Sequence, residues 1–332
     1  MKIASMKMPA IIIAFALFMV PGASYVLSSD TILQSREPIS PLQPAPALDA
    51  RKVRLGEDLF NDPILSGKNQ LSCSACHNLN VGGTSRMRRT VGYSGRLHRY
   101  NAPTIFNVAN NYRFGWRGNF TSLEKQNEAV LLDPDLMASD WQTLLQKLLH
   151  SRYAALFQNA YAEQPSRDNV LDALVTYQKT LATPNSRFDR YLRGDVSALA
   201  PQEIQGYALF KALGCVSCHQ GSNIGGNLFQ VFGIFSRPQP NKDPSYDGDL
   251  GRFTITQAAD DKGVFRVPSL RNVALTAPYF HNGRSATLAE AVDVMAKSQL
   301  GEDIQQADID AIVSFLNTLT GEYQGKILKA EK

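Results

Sequence analysis

The chain has 332 residues, 44% of them hydrophobic and 19% charged, with a formal net charge of +4. At about 150 residues per domain this length suggests two domains, with enough apolar content for real cores. Lys2 and Lys7 fall in a leader segment, so +4 less those two leaves +2, which removes the electrostatic case for a nucleic-acid partner.

In chain order, residues 1–24 read as a secretory leader. Two lysines precede the wholly apolar run PAIIIAFALFMV at 9–20, and the small residues Pro21-Gly22-Ala23-Ser24 follow. The alternative is a signal anchor that tethers the protein to a membrane, because 22 uncharged residues separate Lys7 from Asp30. Export places the protein in the periplasm. Residues 25–50 contain SREPISPLQPAPALDA and predict an extended, polyproline-prone tether rather than part of a core. From Arg51, the apolar residues Val53, Leu55, Leu59 and Phe60 keep a helical rhythm.

That helix leads to Cys73-Ser74-Ala75-Cys76-His77, and a second copy stands at Cys215-Val216-Ser217-Cys218-His219. Two cysteines at this spacing followed by histidine form the attachment signature of a c-type haem. The thiols bind the haem vinyl groups and the histidine ligates iron. The chain has four cysteines and the two motifs use all of them. Two disulfides, or a four-cysteine zinc site, would leave the histidine after each pair unexplained.

Residues 78–120 are rich in Gly, Asn and Arg without a period, as expected of chain wrapped around a cofactor. Helices are predicted at 139–159, with Trp141, Leu144, Leu145, Leu148 and Leu149 on one face, at 167–183, and at 201–213, which opens with Pro201. A second irregular stretch covers 220–263. A capping box at Thr287-Leu288-Ala289-Glu290 then starts a helix to about Ser298, and a last helix covers 305–319. Strand patterns are scarce. The duplication of helix, CxxCH, irregular segment and helices predicts a mainly α fold with two domains at 51–200 and 201–322, one haem in each, and a tail at 323–332.

The motifs LGxxLFxDPxLS, CSACHNLxxGG, NAPTIFN, FGWRGN, VPSLRNVALTAPYFHNGR and LAEAVDVMAKSQLG, from about Arg51 to Gly321, resemble the bacterial dihaem cytochrome c peroxidases, a family that includes the dihaem enzyme maturing methylamine dehydrogenase. The resemblance implies two cytochrome c-like domains joined around an interdomain calcium ion, a peroxide haem at His77 and an electron-entry haem at His219. It makes Met295 the second axial ligand of the latter; periodicity alone places Met295 on an apolar helix face with Leu288, Ala291 and Val292. It places the calcium on the Asn101 side chain and the carbonyls of Thr276 and Pro278, which as oxygen donors suit a hard cation. Trp116 matches a tryptophan that helps electrons cross between haems, and His281 a hydrogen-bonding histidine near the second haem. His98 and His150 match no family histidine and read as ordinary surface or packing residues. The resemblance also implies a homodimer.

At the peroxide haem the chain departs from the family. The distal histidine that ligates this haem in the resting oxidised state and leaves on activation falls on Tyr93, and His98 lies five residues too late to replace it. Tyr93 is open to three readings: a tyrosinate ligand, an unbound residue beside an open site, or a relay for an oxidising hole. The distal glutamine falls on Gln126, while the distal glutamate falls on Leu136 in Asp133-Pro134-Asp135-Leu136-Met137. Splitting the peroxide O–O bond needs a group that moves a proton between its oxygens, worth roughly 10²- to 10⁴-fold in rate. Leucine cannot do this; Asp133, Asp135 and Glu128 are the carboxylates near it in sequence. The leading expectation is reduction of hydrogen peroxide to water with electrons from a small periplasmic cytochrome c or cupredoxin. The alternatives are peroxide-dependent oxidation of aromatic residues in a partner protein, which the retained Met295 disfavours, and a non-enzymatic dihaem carrier or redox sensor, motivated by Leu136.

Overall fold

A computed structural model describes residues 37–238, 243 and 245–329. The predicted leader, the start of the tether and the last three residues lie outside the described residues. Among the described residues no helix is long and apolar enough to cross a membrane.

The structure is mainly helical, in agreement with the sequence reading. The first helix, α1 (Ala50–Asn61), starts where the Asp49 carboxylate accepts the Arg51 amide. It buries Leu55, Gly56, Leu59 and Phe60 against α5 (Arg167–Thr180), whose residues 169–171 and 173–178 are all buried. Between them come α2 (Leu123–Leu132), α3 (Trp141–Leu149) and α4 (Tyr153–Tyr161). After α6 (Arg187–Leu192), the helix α7 (Pro201–Ala212) leads to the second CxxCH, and α8 (Leu288–Met295) and α9 (Gln306–Asn317) close the chain. The capping box at Thr287 and Glu290 is formed as expected.

The duplication is visible in the packing. A Cβ on Gly56 would lie 2.0 Å from the Ala173 carbonyl oxygen, and one on Gly206 1.9 Å from that of Ala311. Each helix preceding a haem motif therefore carries a glycine at its closest approach to the backbone of a later helix. Each crossing is flanked by an aromatic four residues on, Tyr177 and Phe315, with 2% and 0% exposure. One apolar core gathers Leu59, Phe60, Leu148, Phe157, Leu174 and Tyr177; the other gathers Phe188, Tyr207, Phe210, Phe315 and Leu319. Each fully buried large side chain contributes roughly 1.5–3 kcal/mol.

Several expectations need correction. The Pro-rich segment is extended but not detached: Ile39 and Leu42 are each 1% exposed, and Ile39 belongs to the second core. The Leu42 amide donates to Asp189 (3.0 Å), whose carboxylate also accepts Arg271 (2.7 Å) in an ion pair with both side chains fully buried. The helix predicted at 139–159 is broken at 150–152, where the Ser151 hydroxyl accepts the Tyr153 amide (3.2 Å) and starts α4. The helix predicted to reach Ser298 is α-helical only to Met295 and continues as a π-turn, Ala296–Leu300. The second irregular stretch contains β1 (Phe229–Val231), paired antiparallel with β2 (Val264–Arg266). The predicted tail is folded: Glu322–Tyr323 pairs with Lys326–Ile327, and Tyr323 packs against the first core.

Candidate dihaem site

Both CxxCH motifs lie in single tight turns, Cys73–Cys76 and Cys215–Ser217, which put the two cysteines of each pair on neighbouring positions and the histidine just beyond. All four thiols are free and half-buried. Burial pushes the Cys73 thiol up to about 12 and the Cys215 thiol up to about 11. No group of three or more metal-binding side chains clusters among the described residues, so the four cysteines do not form a zinc site.

The two histidines have matching surroundings. His77 Nδ1 faces the Gly83 carbonyl at 3.2 Å and His219 Nδ1 faces the Ile224 carbonyl at 3.3 Å. A carbonyl only accepts, so each Nδ1 carries the proton and each Nε2 is left with its lone pair for a metal. Burial lowers both pKa values, that of His219 to about 4, and keeps the rings neutral. The two halves meet on Thr183, whose hydroxyl bonds Asn107 (2.7 Å) and Asn272 (2.9 Å). Those asparagines close the NAPTIFN and VPSLRN motifs, and both adopt φ near +59°.

A large cavity adjoins the second motif. Cys215, Cys218 and His219 line it, as does Met295, so the ligand pair inferred from resemblance opens onto one space. Its wall is otherwise largely apolar, with Phe210, Leu270, Val292 and Leu316 among the lining residues. Arg266 lines it too, 4% exposed, its guanidinium donating to the carbonyls of Gly115 (3.1 Å) and Val267 (3.3 Å) and to the Asn111 Oδ1 (3.4 Å). Desolvation lowers the pKa of that guanidinium to about 10. An apolar slot with a neutral histidine at one side, a thioether and a buried cation fits a haem, whose carboxylates would supply the arginine with an opposite charge.

Trp116 and His281 line the same cavity. The Trp116 indole N–H donates to the Asn101 carbonyl (2.8 Å), and the Asn101 amide donates to the His281 carbonyl (2.7 Å). His281 is 3% exposed, stacks on Phe265 at 4.2 Å and hydrogen-bonds Asp249 through Nε2 at 2.7 Å. Asn101, Thr276 and Pro278 are likewise brought together on this cavity. The Asn101 Nδ2 donates directly to the carbonyls of Met87 (2.8 Å) and Pro278 (3.4 Å).

On the side assigned to peroxide, the structure joins Tyr93 and Leu136 through the backbone, the Tyr93 amide donating to the Leu136 carbonyl at 3.1 Å. The Tyr93 hydroxyl and the Gln126 Oε1 are both buried and both lack a protein hydrogen-bond partner, as do the hydroxyls of Tyr100 and Tyr246. Glu128 is unavailable for proton transfer: Arg167 grips it at 2.6 and 2.5 Å, Trp141 donates to it at 2.9 Å, and the guanidinium holds its carboxyl below the usual range. Asp135 is paired with Arg96 at 2.5 Å, and Asp133 caps the Asp135 amide at 2.8 Å. His150 is an exposed helix-end residue bonded to the Gln146 carbonyl. His98 is a packing residue: it is partly buried, its Nδ1 accepts the Tyr100 amide (3.2 Å), and burial lowers its pKa against the opposing charge of Asp133.

Residues 50–197 match the family model described as di-haem cytochrome c peroxidase. The chain is 37% identical over 300 residues to the cytochrome c551 peroxidase of Nitrosomonas europaea, covering 90% of this chain and 88% of that protein. It is 40% identical over 304 residues to the cytochrome c peroxidase Ccp of Escherichia coli, where the match spans 91% of this chain and 65% of the relative. Among solved structures, a MauG-like protein associated with microbial copper homeostasis superposes with a TM-score of 0.73 at 27% identity, over 85% of this chain and 93% of that one.

Proposed function

The chain belongs to the di-haem cytochrome c peroxidase family, and from that premise we propose that it is a periplasmic oxidoreductase reducing hydrogen peroxide to water. Each turnover consumes two electrons and two protons, the electrons arriving singly from a small cytochrome c or a cupredoxin. The bound haems supply the redox chemistry, one as electron port and one as peroxide site. Cys73 with Cys76, and Cys215 with Cys218, would hold them by thioether bonds. His77 and His219 would ligate iron through Nε2, and Met295 would fill the sixth position at the second haem. Asn101, Thr276 and Pro278 would hold a calcium ion that fixes the Asn101 carbonyl and, through it, the Trp116 indole.

The observation that carries the peroxide reading is that two of the four buried, unpartnered side-chain atoms among the described residues, the Tyr93 hydroxyl and the Gln126 Oε1, belong to the residues that the family resemblance puts at the peroxide site. Burying a polar group without a partner costs roughly 1–3 kcal/mol, a cost that persists where a ligand is to be bound. Tyr93 would donate its O–H to one peroxide oxygen, and Gln126 would accept the O–H of the other. Leu136 cannot move a proton, and Glu128 is locked by Arg167 and Trp141, so Tyr93 and solvent carry the proton transfer and turnover is slow for this family. Leu136 also supports a second reading, a dihaem electron carrier with no open haem.

A steady-state assay with peroxide and a reduced small cytochrome tests the first reading. Oxidation well above that given by an equal amount of free haem is expected; none above it would overturn the proposal.

A further inference from the structure

We infer that Gln299 is a positioning residue, which clasps the segment following Met295 to the facing wall of the second cavity and so holds the methionine where it meets the iron. The inference rests on the reading of Met295 as a haem ligand.

The α-helix ends at Met295, and Ala296–Leu300 form a π-turn closed by Gly301 at φ +74°. π-turns are wider than α-turns and recur at functional sites. Met295, Ala296, Gln299 and Leu300 line one wall of the cavity, and Gln230, Val231 and Phe232 line another. The Gln299 side chain joins the two walls. Its Oε1 accepts the Gly233 amide at 2.9 Å and its Nε2 donates to the Val231 carbonyl at 2.9 Å. The neighbouring Ser298 carbonyl accepts the amides of Phe235 (3.0 Å) and Ser236 (3.4 Å). The Phe235 ring seals the end of the turn, lying 2.9 Å from the position a Cβ on Gly301 would take.

The clasp has a rigid anchor. Val231 ends β1, which pairs with β2, and the Arg266 amide of β2 donates to the Trp116 carbonyl at 2.9 Å. Gln299 thus ties the methionine segment through two strands to the tryptophan on the same cavity. A thioether is a weak axial ligand, so its occupancy depends on how firmly the backbone presents it. Residues that orient ligands in this way typically change metal-site affinity 10- to 100-fold when removed.

The test is done on the haem-loaded protein in the ferric state. Gln299→Ala should keep two covalent haems per chain but weaken the near-infrared band of thioether-ligated ferric haem. It should also tighten imidazole binding at the second haem by about 10- to 100-fold. Gln299→Glu keeps the acceptor for Gly233 and loses the donor to Val231, so it should fall between wild type and Gln299→Ala; it is the variant read if Gln299→Ala fails to load haem. Wild-type band strength and imidazole affinity in both variants would overturn the clasp alone. A wild-type protein whose spectrum lacks the thioether band and is unchanged in Met295→Ala would overturn the ligand reading and the clasp with it.

Discussion

Gln126→Met replaces a buried amide by an apolar chain of similar length, and the structure predicts opposite effects on stability and activity. The Gln126 Oε1 is buried without a protein partner, and such a group carries a penalty of roughly 1–3 kcal/mol. Removing it should return most of that amount. At an unfolding entropy of roughly 2.1 cal/mol/K per residue, a unit of this size gains about 2–5 °C in Tm for that change. Peroxide turnover should fall, because the variant no longer accepts the peroxide O–H. Differential scanning calorimetry and the steady-state assay, both on the haem-loaded protein, give the two readings. A lower Tm together with unchanged turnover would refute the argument, because the amide would then be a satisfied structural group with no part in peroxide binding.

Three other outcomes follow from the same structure. Leu136→Glu should speed peroxide-dependent oxidation, with about 10²-fold as the lower bound for a restored proton-transfer group; stopped-flow mixing would show it, and an unchanged rate would mean that the backbone tie to Tyr93 does not place position 136 for proton transfer. Asp189→Ala leaves the Arg271 guanidinium buried and unpaired and should destabilise by about 3–5 kcal/mol, whereas Asp189→Leu combined with Arg271→Met should recover much of the loss in thermal melts. Burial of His281 lowers its pKa from the ordinary 6.5, although Asp249 opposes the shift. The unfolded chain therefore binds this proton more readily, and stability should fall as pH drops below about 6.5; His281→Gln should show a shallower decline in Tm between pH 7 and pH 5.

Much of this was legible in the sequence because the signals were local. The CxxCH motifs, the rhythm of α1, Pro201 at the start of α7 and the Thr287 capping box are each contained within a few residues. The break in the helix predicted at 139–159 showed only as a slip of register: Leu144 and Leu148 are four residues apart, as are Tyr153 and Phe157, but Leu148 and Tyr153 are five apart, which at 3.6 residues per turn swings the apolar face by about 140°. The buried role of Ile39 and Leu42 depends on partners such as Asp189, 147 residues from Leu42. The β1–β2 pairing joins distant segments and leaves no short-range pattern. At the site, periodicity placed Met295 with core residues, and only the family resemblance marked it as a ligand. Gln299 lies within the LAEAVDVMAKSQLG motif, but its partners at Val231 and Gly233 are more than sixty residues away.

The central claim is a division of labour between a closed His219/Met295 haem and an open haem at His77. Absorption and spin-resonance spectra of the oxidised and half-reduced protein, with and without cyanide, test it most directly. The account predicts one low-spin haem with the thioether band that ignores cyanide, and one haem with high-spin iron that binds it. Two six-coordinate low-spin haems in both states, neither binding cyanide, would contradict the account and identify an electron carrier.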